Sequence, residues 1–450
     1  MIKKSFLDLK TDVIDAGLCT RCGSCVGVCK VQCIQFADPL GACLPEQSGT
    51  CTSCGLCYTG CSGKDVQWPA LNQQVFGKQP GNYLLGNFQE AFVGFSTDPE
   101  VRRGAGSGGI VSAISLYLLE NKLVDGIVSL TDDVHQPYRA VPQVLTDRAS
   151  ILQAAQSKYS ISPVNMILHR LINLHGKFAY VGLPCQIHSL RKLQQARHPA
   201  ALKIKYVIGL YCGNILHFDS VRSYMGRNGV HNLDQVTSVK YRAGEWPGKM
   251  EIKLKDGRSF SIKKFYANYL IPFYIMRRCL LCTDLTNEFA DLSVGDGWAP
   301  VYEERGKGWS VILGRTPLGV GLLHEMESKK KVELYPIDED AAVNMHSHGL
   351  DLKKVGAFLR IKFRKWQKSP VPSYGYTLEH ASIFRQLKEL AQVTVFWVCS
   401  WKFSRWLVNL IPLGIIGGLF QMLRTMWMRN TRSETHKSGI ASARFRLTGK

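Results

Sequence analysis

Apolar and polar residues alternate with two different periods through the middle of this 450-residue chain. Short apolar runs predict β-strands at residues 91–95, 124–130, 178–182, 205–212, 290–294 and 311–314. Apolar residues that recur every three or four positions predict helices at residues 110–120, 164–174, 186–195 and 321–329. Because strands alternate with helices, the pattern predicts an α/β fold whose mixed or parallel sheet carries helices on its faces.

Other parts of the chain depart from this alternation. Within residues 236–264, Met250–Leu254 and Ser259–Ile262 flank an Asp-Gly pair, which predicts a β-hairpin with a tight turn. Residues 66–90 are rich in Gln, Gly, Asn and Pro without a sustained period, which predicts a linker. The predicted organisation is an N-terminal module at 1–65, a linker at 66–90, an α/β domain at 91–345 and a C-terminal extension at 346–450.

Two cysteine runs with the same spacing, C-x2-C-x2-C-x3-C, occupy the N-terminal module. They are Cys19, Cys22, Cys25 and Cys29, and then Cys51, Cys54, Cys57 and Cys61. In such a run three thiolates ligate one [4Fe–4S] cluster and the fourth ligates a neighbouring cluster. The runs therefore predict two clusters in a bacterial-ferredoxin-like α+β module, one held by Cys19, Cys22, Cys25 and Cys61 and the other by Cys51, Cys54, Cys57 and Cys29.

Two other uses of these cysteines fit the sequence less well. A disulfide scaffold belongs to secreted chains, and residues 1–10 carry charges and no apolar signal region, so we expect a reducing, cytoplasmic location. Zinc sites use two C-x2-C pairs rather than triplets closed by a fourth cysteine. The runs depart from the usual pattern at Lys30 and Ser62, where Pro is common. Cys33 and Cys43 fit no cluster pattern, and we interpret them as incidental buried thiols.

The formal net charge of +21 predicts an acidic partner, which is an acidic electron carrier, an anionic membrane or nucleic acid. Much of the excess lies near the C-terminus. Residues 353–368 contain seven Lys and Arg and no acidic residue. Nucleic acid is the weakest of these partners, because no nucleic-acid-binding module is recognisable and the basic residues adjoin an apolar segment.

The C-terminal extension is basic and predicted to be helical, with an uncharged stretch at 406–423 that Pro and Gly interrupt. Basic and aromatic residues flank this stretch on both sides. This composition predicts peripheral contact with the inner face of an anionic membrane through residues 396–429. A helix of the protein core and a membrane-spanning helix are the alternatives.

A glycine-rich loop and four later cysteines are candidates for cofactor binding. The loop Gly104–Gly109 lies between a predicted strand and a predicted helix, where backbone amides bind phosphate, although it matches neither the Rossmann fingerprint nor the P-loop and resembles a tight turn equally well. Cys185 and Cys212 follow predicted strands, whose carboxyl ends gather at one edge of a parallel sheet. The pair Cys279 and Cys282 would complete a four-thiolate site; separate buried thiols and a surface pair are the alternative.

A succession of motifs in this region resembles the coenzyme F420 hydrogenase/dehydrogenase β-subunit family. The motifs lie at residues 101–133, 157–159, 180–186, 209–212, 279–284, 290–298 and 309–316, and the resemblance covers residues 15–345. Members of this family are flavoproteins with iron–sulfur clusters. They include deazaflavin-oxidising subunits of methanogen enzymes and reductases that act on chlorophyll pigments.

The resemblance implies roles for several residues. Ser107, Gly108 and Gly109 would lie against FAD or its phosphates, and Lys158 and Tyr159 would contact the flavin. It also makes Cys185, Cys212, Cys279 and Cys282 the expected ligands of a third [4Fe–4S] cluster. A lysine beside a flavin stabilises negative charge on the reduced cofactor, although Lys158 could equally be a surface lysine. His188 is interpreted as structural, and no catalytic residue is assigned.

The sequence thus predicts an iron–sulfur flavoprotein oxidoreductase that passes electrons between FAD and [4Fe–4S] clusters. Its redox carrier would be a reduced deazaflavin, ferredoxin or a similar molecule, and either direction of electron flow fits. The alternatives are an electron-transfer subunit of a larger complex with a catalytic partner, a ferredoxin-dependent reductase of an organic substrate, or a two-cluster ferredoxin fused to a domain without flavin.

Overall fold

The computed structural model describes residues 4–302, 307–431, 439–440 and 442–448. Within them the strands are β1 Ile34–Phe36, β2 Pro45–Gln47, β3 Glu90–Ser96, β4 Gly126–Asp132, β5 Ala140–Leu145, β6 Phe178–Gly182, β7 Ile204–Leu210, β8 Val236–Ala243, β9 Lys249–Leu254, β10 Ser259–Lys263, β11 Leu292–Asp296, β12 Ser310–Gly314, β13 Val332–Pro336, β14 Tyr376–Leu378 and β15 Phe445–Leu447.

The α-helices are α1 Phe6–Leu9, α2 Ser24–Gly27, α3 Leu56–Thr59, α4 Trp68–Phe76, α5 Pro99–Gly104, α6 Ile110–Glu120, α7 Arg148–Ala154, α8 Leu168–Asn173, α9 Pro184–Gln195, α10 Pro199–Leu202, α11 Asp219–Gly226, α12 Leu270–Tyr274, α13 Pro317–Ser328, α14 Glu339–Met345, α15 Ser347–Leu350, α16 Ala357–Trp366, α17 Ile383–Cys399, α18 Lys402–Leu410 and α19 Leu413–Thr431. Wider π-helical turns follow α1 and α15, at Lys10–Ile14 and Asp351–Gly356.

An eight-stranded mixed sheet forms the centre of the molecule, with the strand order β13-β3-β12-β11-β7-β6-β4-β5. Strands β4, β6, β7 and β11 are parallel to one another, and β5, β12 and β13 are antiparallel to their neighbours. The predicted mixed α/β sheet is confirmed, and each of the six predicted strands belongs to it. The sequence missed the edge strands β5 and β13, because a proline interrupts one and only two residues of the other are buried.

The predicted hairpin is confirmed as β9 and β10, and its turn contains Gly257 at φ +85°. Strand β8, which the sequence did not predict, pairs with β9 to make a separate three-stranded antiparallel sheet. This sheet has its own hydrophobic core with α11 and α12, built around Val221, Ile252 and Tyr269. The hairpin is therefore part of a small subdomain beside the main sheet.

The N-terminal module packs tightly against α9 and the segment that precedes α8. The backbone amide of Asn165 donates to the carbonyl of Cys22 at 2.9 Å, and the Asn165 side chain donates to Ser24 Oγ at 2.8 Å. A Cβ atom at Gly27 would lie 2.1 Å from the Asn165 carbonyl oxygen, so only glycine allows this approach. Lys192 of α9 donates to the carbonyl of Cys61 at 2.6 Å.

The predicted linker at 66–90 is corrected by the structure, because most of its length is folded into the body of the protein. Helix α4 begins at Trp68, which is fully buried and lies in edge-to-face contact with His188, Phe289 and Tyr374. The indole nitrogen of Trp68 donates to Glu288 Oε2 at 3.0 Å. The polar residues that suggested a linker lie largely on the outer face of α4, whereas the apolar ones pack inward.

The first part of the C-terminal extension also belongs to the core. Lys353 and Lys354, counted in the basic stretch, are buried, and Phe358 of α16 packs against Tyr376 of β14. The charge in this stretch is therefore only partly on the surface. Further along, α17, α18 and α19 follow one another on the outside of the molecule. No single described helix is long and apolar enough to cross a membrane, but α18 and α19 together meet that criterion as a pair bent by 112°.

Candidate metal centres and cofactor site

The first cavity lies inside the N-terminal module. Its wall includes the thiols of Cys19, Cys22, Cys25, Cys57 and Cys61 together with apolar side chains of the first helical turns. Burial raises the pKa of Cys19 to about 12, and the Cys61 thiol adds to the effect. Buried thiols of this kind ionise when they bind a metal, so Cys19 and its cysteine neighbours suit metal ligation.

The second cavity, of about 330 Å³, lies on the other side of Cys57. Its cysteines are Cys29, Cys33, Cys51, Cys54 and Cys57. Cys29 of the first run thus lies with the second run, and Cys61 of the second run lies with the first, which is the exchange that the sequence predicted. Cys33 is not isolated, because its sulfur lies 3.5 Å from that of Cys29.

The third cavity, of about 440 Å³, lies at the carboxyl edge of the central sheet. Cys185 is in the first turn of α9 after β6, and Cys212 comes two residues after β7. A 3₁₀ turn at Arg277–Leu281 carries Cys279 and delivers Cys282 to the same cavity. The structure therefore brings together the four cysteines that are separated by up to 97 positions in the sequence.

The cysteine thiols of each set line the wall of a cavity. Among the described residues, no group of three or more His, Cys, Asp or Glu side chains is close enough to hold one metal ion. A single zinc ion would draw its thiolates to about 2.3 Å from one point. An iron–sulfur cube instead carries its thiolates on separate corners.

Side chains from both halves of the protein separate the first cavity from the third. Thr20 and Ser62 of the N-terminal module line the third cavity, and their hydroxyl oxygens are 3.1 Å apart. Arg278 is buried beside Cys279 and donates to the carbonyls of Leu18 at 3.0 Å and Gly63 at 2.9 Å. Thr20 is thus a wall residue shared by the first and third cavities, and Ser62, the departure from the usual Pro, lines the third.

The glycine loop meets the Ser-Lys-Tyr segment through Arg242 of β8. The Arg242 guanidinium donates to the carbonyl of Gly106, to Tyr159 Oη at 3.3 Å and to Asp296 Oδ2 at 3.0 Å. Lys264 lies 4.0 Å above the centre of the Tyr159 ring. Burial alone would raise the pKa of Tyr159, but Lys264 and Arg242 outweigh it and lower the pKa to about 8.

Lys158 lines a fourth cavity, of about 540 Å³, between the N-terminal module and β4 and β5. The wall also contains Arg139, Tyr138 and Tyr241, and Cys43 from the module. Lys158 is only 8% exposed at its side chain, and its nearest carboxylate, Asp132, is 4.0 Å away. Burial lowers the pKa of Lys158 to about 8, although Asp132 opposes this shift.

Family models match most of the folded core of the chain. The model for the N-terminal part of the coenzyme F420 hydrogenase/dehydrogenase beta subunit matches residues 91–169, and the model for its C-terminal part matches residues 175–340. The chain belongs to the coenzyme F420 hydrogenase/dehydrogenase beta-subunit family. The two matches together cover the central sheet, the hairpin subdomain and the third cavity.

Members of this family with curated descriptions share less than a third of their residues with the chain. The chain is 30% identical over 261 residues to the coenzyme F420 hydrogenase subunit beta of Methanococcus voltae. This alignment covers 57% of the chain and 87% of that subunit. The chain is 29% identical over 346 residues to the coenzyme F420-dependent sulfite reductase of Methanocaldococcus jannaschii, which covers 73% of this chain. The chain spans about half, 49%, of the length of that reductase.

A solved structure shares the fold. A chain of the F420-reducing [NiFe] hydrogenase complex from Methanosarcina barkeri superposes with a TM-score of 0.52 over 64% of this chain and 97% of its own length. Its sequence identity is 23%, so this likeness supports the fold alone.

Within the family fold, the residues expected near FAD fall into two sets. Ser107 Oγ lies 2.8 Å from Ser310 Oγ, and the amide of Gly108 donates to the same oxygen at 3.0 Å, so these groups already have protein partners. Gly109 begins α6 at φ +80°, where no side chain caps the helix. Lys158 and Tyr159 form the second set. Lys158 lines the fourth cavity, and Tyr159 lies beside the glycine loop.

Sequence reasoning missed several charged residues around the third cavity. Lys353 donates to the carbonyl of Cys279 at 3.1 Å, and Asp284 accepts from His188 at 2.8 Å. His188 is buried in the wall of the third cavity, and its partner was not foreseen. Arg242 and Arg278 were missed as well. Neither residue stands in a local pattern that indicates its partners, and only the folded chain reveals them.

Proposed function

We propose that the chain is an iron–sulfur flavoprotein oxidoreductase that passes electrons between FAD and three [4Fe–4S] clusters. The observation that carries the proposal is the presence of three separate cavities, each of which includes four predicted cysteine ligands in its wall. Cys19, Cys22, Cys25 and Cys61 would hold the first cluster, Cys29, Cys51, Cys54 and Cys57 the second, and Cys185, Cys212, Cys279 and Cys282 the third.

FAD would bind beside Lys158, Tyr159 and the glycine loop. The fit rests on Lys158 and Arg139, which give the fourth cavity a cationic wall suited to an anionic cofactor. FAD supplies the change between two-electron exchange with a carrier and one-electron transfer to clusters. Arg242 would hold the glycine loop and Tyr159 in register, because it bonds to both. Ser107 would contact the cofactor while keeping its hydrogen bond to Ser310 of β12, because a hydroxyl has one donor and two acceptor positions.

The carrier in this proposal is a reduced deazaflavin of the coenzyme F420 type, because the Methanocaldococcus reductase and the Methanococcus hydrogenase subunit are both named for that coenzyme. Ferredoxin is the second candidate. A role as a subunit of a larger redox complex is favoured by the Methanococcus relative, which is itself named as a hydrogenase subunit. A catalytic partner would then receive or supply the electrons at the clusters.

The test uses full-length protein purified without oxygen and mixed with reduced coenzyme F420. We expect flavin bleaching followed by electron paramagnetic resonance signals of reduced clusters, because the donor gives two electrons and the clusters take one each. Reduced ferredoxin and NADH are tested in parallel. Failure of all three donors to reduce any chromophore in protein with its full iron and FAD content would contradict the proposed oxidoreductase. Turnover with dyes alone would favour the subunit role.

FAD binding is expected to weaken as the pH rises from 7 to 9. Lys158 has a pKa of about 8 and loses its positive charge in this interval, and Tyr159 with a pKa of about 8 gains a negative one. Both changes disfavour an anionic ligand, so we expect the dissociation constant to rise by about tenfold or more. Equilibrium ultrafiltration of FAD across this pH range measures it.

The variants K158M and Y159F separate the two contributions. Each should flatten part of the pH profile, and K158M should also weaken binding at pH 7. Lys78→Met, a change at an exposed lysine that follows α4, is the matched control and should keep the wild-type profile. An unchanged dissociation constant in K158M at every pH would remove Lys158 from the flavin site.

A further inference from the structure

The helices α17, α18 and α19 present an apolar surface that the protein does not cover. Among the large hydrophobic side chains that are exposed in the described residues, most lie between Ile383 and Met426. They recur at three- and four-residue intervals, as in Phe403, Trp406, Leu407 and Leu410 of α18, so each helix carries a stripe. We call these stripes the outer face of α17–α19. It comprises Ile383, Phe384, Leu387, Leu390, Val395, Trp397, Val398, Trp401, Phe403, Trp406, Leu407, Leu410, Ile415, Leu419, Met422, Leu423 and Met426.

The opposite sides of α18 and α19 are fixed to the hairpin subdomain. Val408 and Ile416 are buried in its hydrophobic core, and Gly417 lies so close to Tyr266 that a Cβ atom there would be 2.4 Å from the ring. Arg227 of the subdomain donates to the carbonyls of Val408, at 2.7 Å, and Ile411. The helices are therefore held with one side on the protein and the apolar side outward.

The outer face is rimmed by positive charge. The segment 383–431 contains one carboxylate, Glu389, which is buried and paired with Arg360 and Arg385. Lys388, Lys402 and Arg429 are exposed on the same helices. At the end of α16, the exposed Trp366 is close in sequence to the exposed lysines Lys362, Lys365 and Lys368.

We propose that the outer face of α17–α19 docks on the surface of an anionic lipid bilayer. Exposed apolar patches on soluble monomers cover a few hundred Å² at most, and a larger patch marks an interaction surface. Exposed tryptophans with lysines and no exposed carboxylate match an interface of apolar chains beneath anionic headgroups. Because the inner sides of α18 and α19 are packed on protein, the helices contact lipid from one side only and lie along the bilayer surface.

Charge complementarity identifies an anionic bilayer as the partner of the outer face of α17–α19. A bilayer offers a continuous negative potential, worth about 1 kcal/mol for each nearby Lys or Arg. The surface is built separately from the cysteine cavities, so the inference stands apart from the proposed redox function. Docking would place the redox protein next to membrane-bound reactants.

Flotation of the anaerobically purified, full-length protein with lipid vesicles tests this proposal. We expect binding to vesicles of phosphatidylcholine with 30% phosphatidylglycerol, at about tenfold or higher affinity than to phosphatidylcholine alone, and release by about 1 M salt. The variant W397S/F403S/W406S should lose binding by about tenfold or more for each side chain replaced. K388Q/K402Q/R429Q should lose the preference for anionic vesicles.

Matched controls and a second measurement keep the result decisive. The variant V134S/L174S/L202S removes exposed apolar side chains elsewhere and should bind as the wild type does. Iron content and dye reduction should be unchanged in every variant. Absence of vesicle binding, or equal binding to both vesicle types at low salt, would overturn the proposal. So would a stable dimer in sedimentation velocity that W397S/F403S/W406S dissociates while vesicles bind neither protein, because the face would then join two copies.

Discussion

Replacing Cys185 by alanine is expected to reduce the iron content of anaerobically purified protein from about twelve to about eight atoms per chain. Cys185 lines the third cavity with Cys212, Cys279 and Cys282, so the variant would leave the third cube with three of its four thiolates, and we expect that cube to be lost during purification. The remaining irons, about eight, would belong to the N-terminal module, whose cysteines line the two other cavities. Iron and sulfide determination, with paramagnetic resonance of the reduced protein, measures the effect.

The matched control is Cys399→Ala, a cysteine of α17 that lines none of the cluster cavities, and it should keep about twelve irons. Cys29→Ala adds a test of the exchange between the two runs. It should remove the cluster of the second run, although Cys29 belongs to the first run in the sequence. An iron content of about eight in the wild type would eliminate the third cluster. Loss of all iron in Cys185→Ala would indicate that the variant does not fold.

Replacing Glu288 by glutamine is expected to destabilise the protein by about 3–5 kcal/mol. The Glu288 carboxylate is paired with the ammonium of Lys354, and both side chains are only 1% exposed. Glutamine keeps the shape and an oxygen for the Trp68 indole, which donates to Oε2 at 3.0 Å, but it leaves Lys354 charged and unpaired in the core. An unpaired buried charge is far more costly than a lost pair. Chemical unfolding followed by tryptophan fluorescence, with iron content checked at each point, measures the loss.

Two further variants distinguish the charge from the packing. E288M/K354M removes both charges and should recover much of the stability, because a hydrophobic pair of similar volume often replaces a buried ion pair without loss. Glu325→Gln removes one partner of the exposed pair with Lys329 and should change little. A Glu288→Gln variant as stable as the wild type would mean that water or another group neutralises Lys354.

The sequence predicted the parts of this molecule whose signals are local. Strand β6 is an uninterrupted buried apolar run, and the two cysteine runs carry their cluster spacing within eleven residues each. The gathering of Cys185 and Cys212 at one sheet edge followed from the parallel order of β6 and β7. These predictions needed only periodicity, spacing and the geometry of a parallel sheet.

The missed features depend on contacts between distant parts of the chain. Trp68 lies among glutamines and glycines, and its partner Glu288 is 220 positions away. Lys353 and Lys354 belong to a basic stretch that has the composition of a solvated surface, yet carbonyls and a carboxylate from the core surround them. Composition cannot distinguish these cases, because the same residues would be exposed if α15 and α16 packed differently.

The close contact at Gly27 has a consequence for how the two halves of this chain can change. Gly27 stands between the third and fourth cysteines of the first run, and its backbone touches the Asn165 carbonyl of the α/β domain. A ferredoxin taken from another protein could carry every cysteine in the correct place and still fail as a graft if it had a side chain there. The N-terminal module therefore cannot be replaced by every module that has the same cysteine spacing. Substitutions on either side of this contact must be tolerated by both halves together, so we expect the N-terminal module and the α/β domain to diverge as one unit.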